Sequence, residues 1–173
     1  HEAVKTAFGG GVLVITGGPG TGKTTIMKII MEIFQSHEYK IALCAPTGKA
    51  AKRLSESCGM EAKTLHRLLE VEVSDVQNQR FARNEYNPID ADVVIIDEMS
   101  MVDIVLFGSL LKALKRGTCL IMAGDSDQLP SVGAGNVLHD IIKSGVIPSV
   151  RLNEVFRQAE QSRIVTNAHR INM

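Results

Sequence analysis

Several things are scarce in this chain, and each scarcity excludes something. It has no net charge: 19 Lys and Arg balance 19 Asp and Glu. Proteins that hold nucleic acid through a global field usually carry a basic excess, so any such contact here must come from a local patch. No apolar run approaches the roughly 20 residues that a membrane span needs, and the charged, then Gly-rich N-terminus does not read as a signal peptide. Cysteines number three, at Cys44, Cys58 and Cys119, with no CxxC spacing. An odd set of free cysteines, with Cys44 and Cys119 in or beside apolar runs, points to a reducing, cytoplasmic compartment. The five histidines lack metal-ligand spacing with any Cys or second His, and there are no internal repeats or low-complexity tracts.

What is present suits one core. The 173 residues are 45% hydrophobic, enough for a single domain. Strand patterns at Val12–Thr16, Lys40–Ala45, Asp92–Asp97, Thr118–Gly124 and Ser149–Leu152 are mostly rich in Val, Ile and Leu without polar alternation. Such strands belong to a parallel sheet covered on both faces. Helical patterns fill the intervals at Lys23–Ser36, Lys49–Ser57, Thr64–Leu69, Asp103–Lys115, Asn136–Ser144 and Gln161–His169. The alternation predicts a doubly wound α/β domain with a sheet of about five strands. Ligands in such sheets gather at the carboxyl ends of the strands, where Gly17, Asp97 and Asp125 all fall. The polar stretch from Val71 to Pro88 breaks the rhythm and reads as a mobile loop or small hairpin.

The densest signal is Gly17-Gly18-Pro19-Gly20-Thr21-Gly22-Lys23-Thr24-Thr25, set between the strand at Val12-Leu13-Val14-Ile15 and a helix. This is a phosphate-binding loop in its proper setting. Glycines let successive N–H groups point inward at phosphate oxygens, and the helix end adds free N–H groups and a positive dipole. Lys23 is placed to reach the β- and γ-phosphates of ATP, and the Thr24 hydroxyl to ligate Mg²⁺. A plain Gly-rich turn with a solvated lysine is the alternative, and the strand–turn–helix setting argues against it.

Val93-Val94-Ile95-Ile96-Asp97-Glu98 is an apolar strand ending in two acids. Strand alternation would turn them to opposite sides, leaving Asp97 as the candidate Mg²⁺ partner and Glu98 as the base for an attacking water. Gln128, in Gly124-Asp125-Ser126-Asp127-Gln128-Leu129-Pro130, carries an amide that can both donate to a phosphate and accept from water. Ala45-Pro46-Thr47-Gly48-Lys49 leads into a basic helix with Lys52 and Arg53, suited to a nucleic-acid phosphate. An ordinary capped, solvated helix explains that segment too. Thr64-Leu65-His66 reads as a capped helix start with a core histidine. Arg157 follows the fifth strand, where an arginine can stabilise transition-state charge as readily as it can sit solvated.

Together GGPGTGKTT, APTGKAAKRL, TLHRLL, VVIIDEMSMVD, GDSDQLPSVGAGNVL and LNEVFRQ resemble, in order, the motifs of the first motor domain of superfamily 1 DNA helicases of the RecD family. The resemblance implies a RecA-like P-loop NTPase domain spanning 1–173. It also implies 5′-to-3′ movement on single-stranded DNA and coupling of nucleotide to DNA through Gln128. Arg157 takes the place of an arginine finger. Strand contacts at Thr47 (with Pro46 and Lys49 beside it), Thr64 and His66 carry over from the same likeness. So do a second motor domain elsewhere in the parent protein and, in some members, RecB and RecC subunits. The family's sheet order places Thr118–Gly124 between the strands ending at Thr16 and Asp97. This chain departs from the pattern at Met99, commonly Ala, and in opening at His1 where the family has an upstream adenine-reading Gln. A P-loop ATPase or nucleotide-binding assembly module outside the helicases is the competing reading; the presence of both Lys23 and Glu98 weighs against a domain without turnover.

Overall fold

A computed structural model describes residues 2–9, 11–72 and 80–153. Eight strands and six α-helices alternate within them: α1 (Glu2–Phe8), β1 (Val12–Gly17), α2 (Lys23–Ser36), β2 (Ile41–Ala45), α3 (Gly48–Cys58), β3 (Ala62–Thr64), α4 (Leu65–Leu68), β4 (Val71–Glu72), β5 (Arg80–Phe81), β6 (Val93–Ile96), α5 (Ile104–Ala113), β7 (Cys119–Gly124), α6 (Val137–Ser144) and β8 (Ser149–Leu152). Six of the strands form one sheet in the order β3-β2-β6-β7-β1-β8, and every adjacent pair in it is parallel. As expected, β7 separates β1 from β6.

The central strands need no polar face because both faces are covered. Every residue of β6 and β7 is buried. Consecutive residues of β1 feed different cores: Leu13 and Ile15 meet Met27, Ile30, Met31 and Phe34 of α2 with Leu54 of α3. Val14 lies in the opposite core with Leu106 and Leu110 of α5 and Leu138 of α6. The apolar stripe of α2, at positions spaced three and four apart, produces that contact.

The sheet has a sixth strand that the sequence pattern does not show. Ala62-Lys63-Thr64 pairs with Leu43-Cys44-Ala45 at the sheet edge. Three residues, none fully buried, leave no apolar run to read. Thr64 therefore ends β3 and caps α4, its Oγ1 accepting from the Arg67 N–H at 3.2 Å. Helix α1 was likewise not expected; it packs Ala3 and Ala7 onto the same core as α2. Of the two readings of Val71–Pro88, the hairpin holds: β4 and β5 pair antiparallel. Arg157 and the helix expected at Gln161–His169 lie outside the described residues.

Candidate active site

Among the described residues the chemistry-bearing positions lie on one rim, the carboxyl ends of the parallel strands. The register fixes their order: Ala45 is level with Thr64, Cys44 with Ile96, Ile96 with Met122, and Thr16 with Gly124. Along the rim come Thr64, then Pro46 and Thr47, then Asp97 and Glu98, then Asp125 to Gln128, then the loop Gly17–Thr25.

That loop is built for an anion. Gly20 and Gly22 hold φ of 78° and 86°, a left-handed backbone that side chains resist. A Cβ on Gly17 would stand 2.7 Å from the Leu152 carbonyl and 2.8 Å from Thr21 Oγ1, so β8 closes the loop from outside and only glycine fits. Thr21 is buried and its hydroxyl donates to the Gly18 carbonyl at 2.9 Å; what it can offer a phosphate is its backbone N–H. Helix α2 begins with no side-chain cap and no acidic residue in its first turn. Its N–H groups and dipole therefore stay available to a ligand. Lys23 folds over the loop, its Nζ donating to the Gly17 and Gly18 carbonyls at 2.5 and 3.0 Å.

Strand alternation does not extend to the two acids. β6 stops at Ile96, and Glu98 adopts a left-handed φ of 56° as the chain turns into a 3₁₀ segment, Met99–Met101. A non-glycine residue is uncommon there, and Glu38 and Glu70, away from the rim, share it. The Glu98 N–H donates to Asp97 Oδ1 at 2.9 Å. Burial pushes the Asp97 carboxyl above its ordinary range, opposed by that N–H and by the charges of Lys23 and Arg53. Glu98 is raised too, first by burial and then by the Asp97 charge, with Lys23 and Arg53 opposing and Asp125 adding to the rise.

Glu98 and Gln128 share a cleft of about 230 Å³ with Thr47, Lys49, Ala50, Arg53 and Met101. The structure thus joins the acid, the amide and the first turns of α3 across one opening. Thr64 stands one strand further along the rim, and His66 beside it lies 6.1 Å from the Phe81 ring of the hairpin. Arg53 is the site residue that motif reading undervalued, since its sequence position shows a basic helix and not the carboxylates it faces. Thr16 and Asp103 were missed as well. Thr16 Oγ1 accepts from the Ser126 N–H at 3.3 Å, tying β1 to the Gln128 loop. Asp103 caps α5 through the Leu106 N–H at 2.8 Å and fills the space a Cβ on Gly133 would need.

Thr24 and Asp97 supply a hydroxyl and a carboxylate, hard oxygen donors of the kind Mg²⁺ takes together with substrate phosphates. Among the described residues no group of three or more His, Cys, Asp or Glu is placed to hold a metal ion. No helix among the described residues is long and apolar enough to cross a membrane.

A family model described as AAA domain matches residues 1–134. The chain is 42% identical over 158 residues to an ATP-dependent RecD2 DNA helicase of Deinococcus radiodurans, covering 91% of this chain and 21% of that protein. It is 38% identical over 166 residues to the RecBCD enzyme subunit RecD of Mycolicibacterium smegmatis, covering 83% of this chain and 30% of the relative. Among solved structures, the Pif1 helicase from Candida albicans superposes with a TM-score of 0.70 at 26% identity, covering 98% of this chain and 42% of that one. The chain therefore spans less than a third of the length of these curated relatives.

Proposed function

The chain belongs to the AAA domain family as a RecD-type member, and on that premise we propose that it is the first motor domain of an ATP-driven 5′-to-3′ DNA helicase. One observation carries the reading: a phosphate loop shares a rim with Glu98 and Gln128, and those two share a cleft with the first turns of a basic helix. ATP hydrolysis on the rim beside that cleft can then alter the grip of α3 on a strand.

In this reading the loop Gly17–Thr25 holds the phosphates through its N–H groups, and Lys23 leaves the Gly17 and Gly18 carbonyls for the β- and γ-oxygens. Thr24 and Asp97 hold Mg²⁺, which neutralises phosphate charge when bound. Glu98 accepts a proton from water as the water oxygen bonds to the γ-phosphorus and the bond to the β-bridging oxygen breaks. Gln128 orients that water or the γ-phosphate, and Arg157 stabilises the developing charge. Pro46, Thr47, Lys49, Thr64 and His66 face the DNA backbone, contacts that grip without sequence preference. A second motor domain in the parent protein completes the cleft. RecB and RecC would be partners if the parent is an exodeoxyribonuclease V subunit, and the cytoplasm is the compartment.

The test is ATPase activity of the full-length protein with and without single-stranded DNA. Replacing Thr64 and His66 together by Ala should weaken DNA stimulation about tenfold and spare ATP binding. Loss of both in a folded protein would return these residues to the nucleotide site or the core.

A further inference from the structure

Ser100 carries a contradiction. It sits in the 3₁₀ turn two residues after Glu98, and its Oγ is the one buried side-chain polar atom among the described residues with no hydrogen-bond partner. The residue is 6% exposed, so bulk water does not satisfy it. An enclosed, unpaired hydroxyl costs stability that alanine at the same place would not. A hydroxyl kept at such a cost has its use in another arrangement of its surroundings.

Those surroundings are the end of β7. A Cβ on Gly124 would lie 3.2 Å from the backbone nitrogens of Met99 and Ser100 and 2.7 Å from Leu138. The 3₁₀ turn therefore presses directly on the residue before Asp125. Asp125 is itself buried, and it shapes the loop that carries Gln128: its Oδ1 accepts from the Asp127 N–H at 3.0 Å and its carbonyl from the Gln128 N–H at 3.3 Å. Beyond it Leu129 and Val132 are almost fully exposed. A well-packed turn bearing Glu98 thus abuts the segment bearing Gln128.

Resting on the ATPase reading above, we propose that Ser100 is a positioning residue: its hydroxyl gains the Asp125 carboxylate as acceptor when nucleotide draws in the Gln128 loop. The new hydrogen bond would lock Glu98 and Gln128 in register around the attacking water. Ser100 touches neither nucleotide nor water and acts through its neighbours on both sides.

The experiment uses the full-length protein and Ser100→Ala, with Ser100→Cys as a near-isosteric variant of weak donor strength. Thermal midpoints are read without nucleotide and with ADP–aluminium fluoride, and ATPase kinetics alongside. The expected result for Ser100→Ala is a nucleotide-free midpoint equal to or above wild type. The stabilisation by ADP–aluminium fluoride should be smaller, kcat about tenfold lower, and KM within about twofold, as loss of one buried hydrogen bond made late in the reaction gives. Ser100→Cys should fall between. A lowered nucleotide-free midpoint would show that the hydroxyl already has a partner at rest and would overturn the proposal. So would an unchanged kcat with unchanged stabilisation by the analogue, in a background where wild type is active. A wild-type protein that neither binds the analogue nor hydrolyses ATP would instead remove the ATPase reading, and this inference with it.

Discussion

At the scale of single residues, the site stores its function in charges that a bare fold would avoid. Lys23 now rests on two loop carbonyls, a placement that holds the ammonium where phosphate oxygens would displace those contacts. Lys23→Ala should lower ATP affinity at least about tenfold, because a charge-assisted contact is lost. The loop's own hydrogen bonds and the two cores should keep the protein folded; calorimetric titration with a thermal melt checks both. Asp97 makes a pH prediction. Burial raises its pKa in the folded state, so the folded protein binds that proton more tightly than the unfolded chain. The resulting penalty is absent below the ordinary carboxylate range and fully present once pH rises through the raised value. Asp97→Asn, which keeps the Oδ1 acceptor for the Glu98 N–H, should therefore raise the nucleotide-free melting temperature near neutral pH by on the order of 2–4 °C. The gain should shrink toward about pH 4. A gain that grew on acidification would reverse the sign.

Among the elements, α3 has the most varied work. Thr47 caps it, its Oγ1 accepting from the Ala50 N–H at 3.2 Å. Its first turns line the cleft opposite Glu98, while Ala51, Leu54 and Cys58 anchor its other face in the core. A helix fixed on one side and charged on the other can carry a strand contact and a carboxylate contact as one rigid body. Thr47→Ala should cost about 1 kcal/mol through the lost cap, read by urea denaturation, and Thr47→Ser should restore most of it. If Ser rescues stability but not DNA-stimulated ATPase, the methyl group of Thr47 belongs to the strand contact. Helix α5 plays a comparable part for the loop after Gln128, since Asp103 caps the helix and seats Gly133 together.

At the scale of the whole molecule, the described residues form a six-stranded sheet between two helical cores, with a two-stranded hairpin beside it. The rim at the strand ends is open, and Gln128 is exposed to solvent. An open site leaves water around the phosphates and the transition-state charge weakly stabilised. Residues 1–173 in isolation should therefore bind ATP weakly and hydrolyse it slowly, with little response to single-stranded DNA. Steady-state turnover by the isolated segment at the rate of the full-length protein would contradict this, and would mean that the rim is sufficient alone.

Much of this was legible before any coordinates. Apolar strands without alternation suit interior parallel strands, so the sheet, its double cover and the placing of Gly17, Asp97 and Asp125 at strand ends were expected from residue type and spacing. The phosphate loop was equally plain, because Gly20 and Gly22 adopt a left-handed backbone that side chains resist. Tertiary structure alone decided the rest. Ala62-Lys63-Thr64 becomes a strand because β2 offers it an edge, and not through any pattern of its own. Asp97 and Glu98 lie past the end of β6, with Glu98 in a left-handed turn, which a reading in terms of strand period could not contain. Arg53 meets the acids across a gap of more than forty residues in sequence, and Ser100 is left unpaired by the way β7 packs on the turn beside it. Local chemistry sets which backbone each residue accepts; which charges and hydroxyls face one another depends on contacts distant in the chain, and those exist only once the chain has closed.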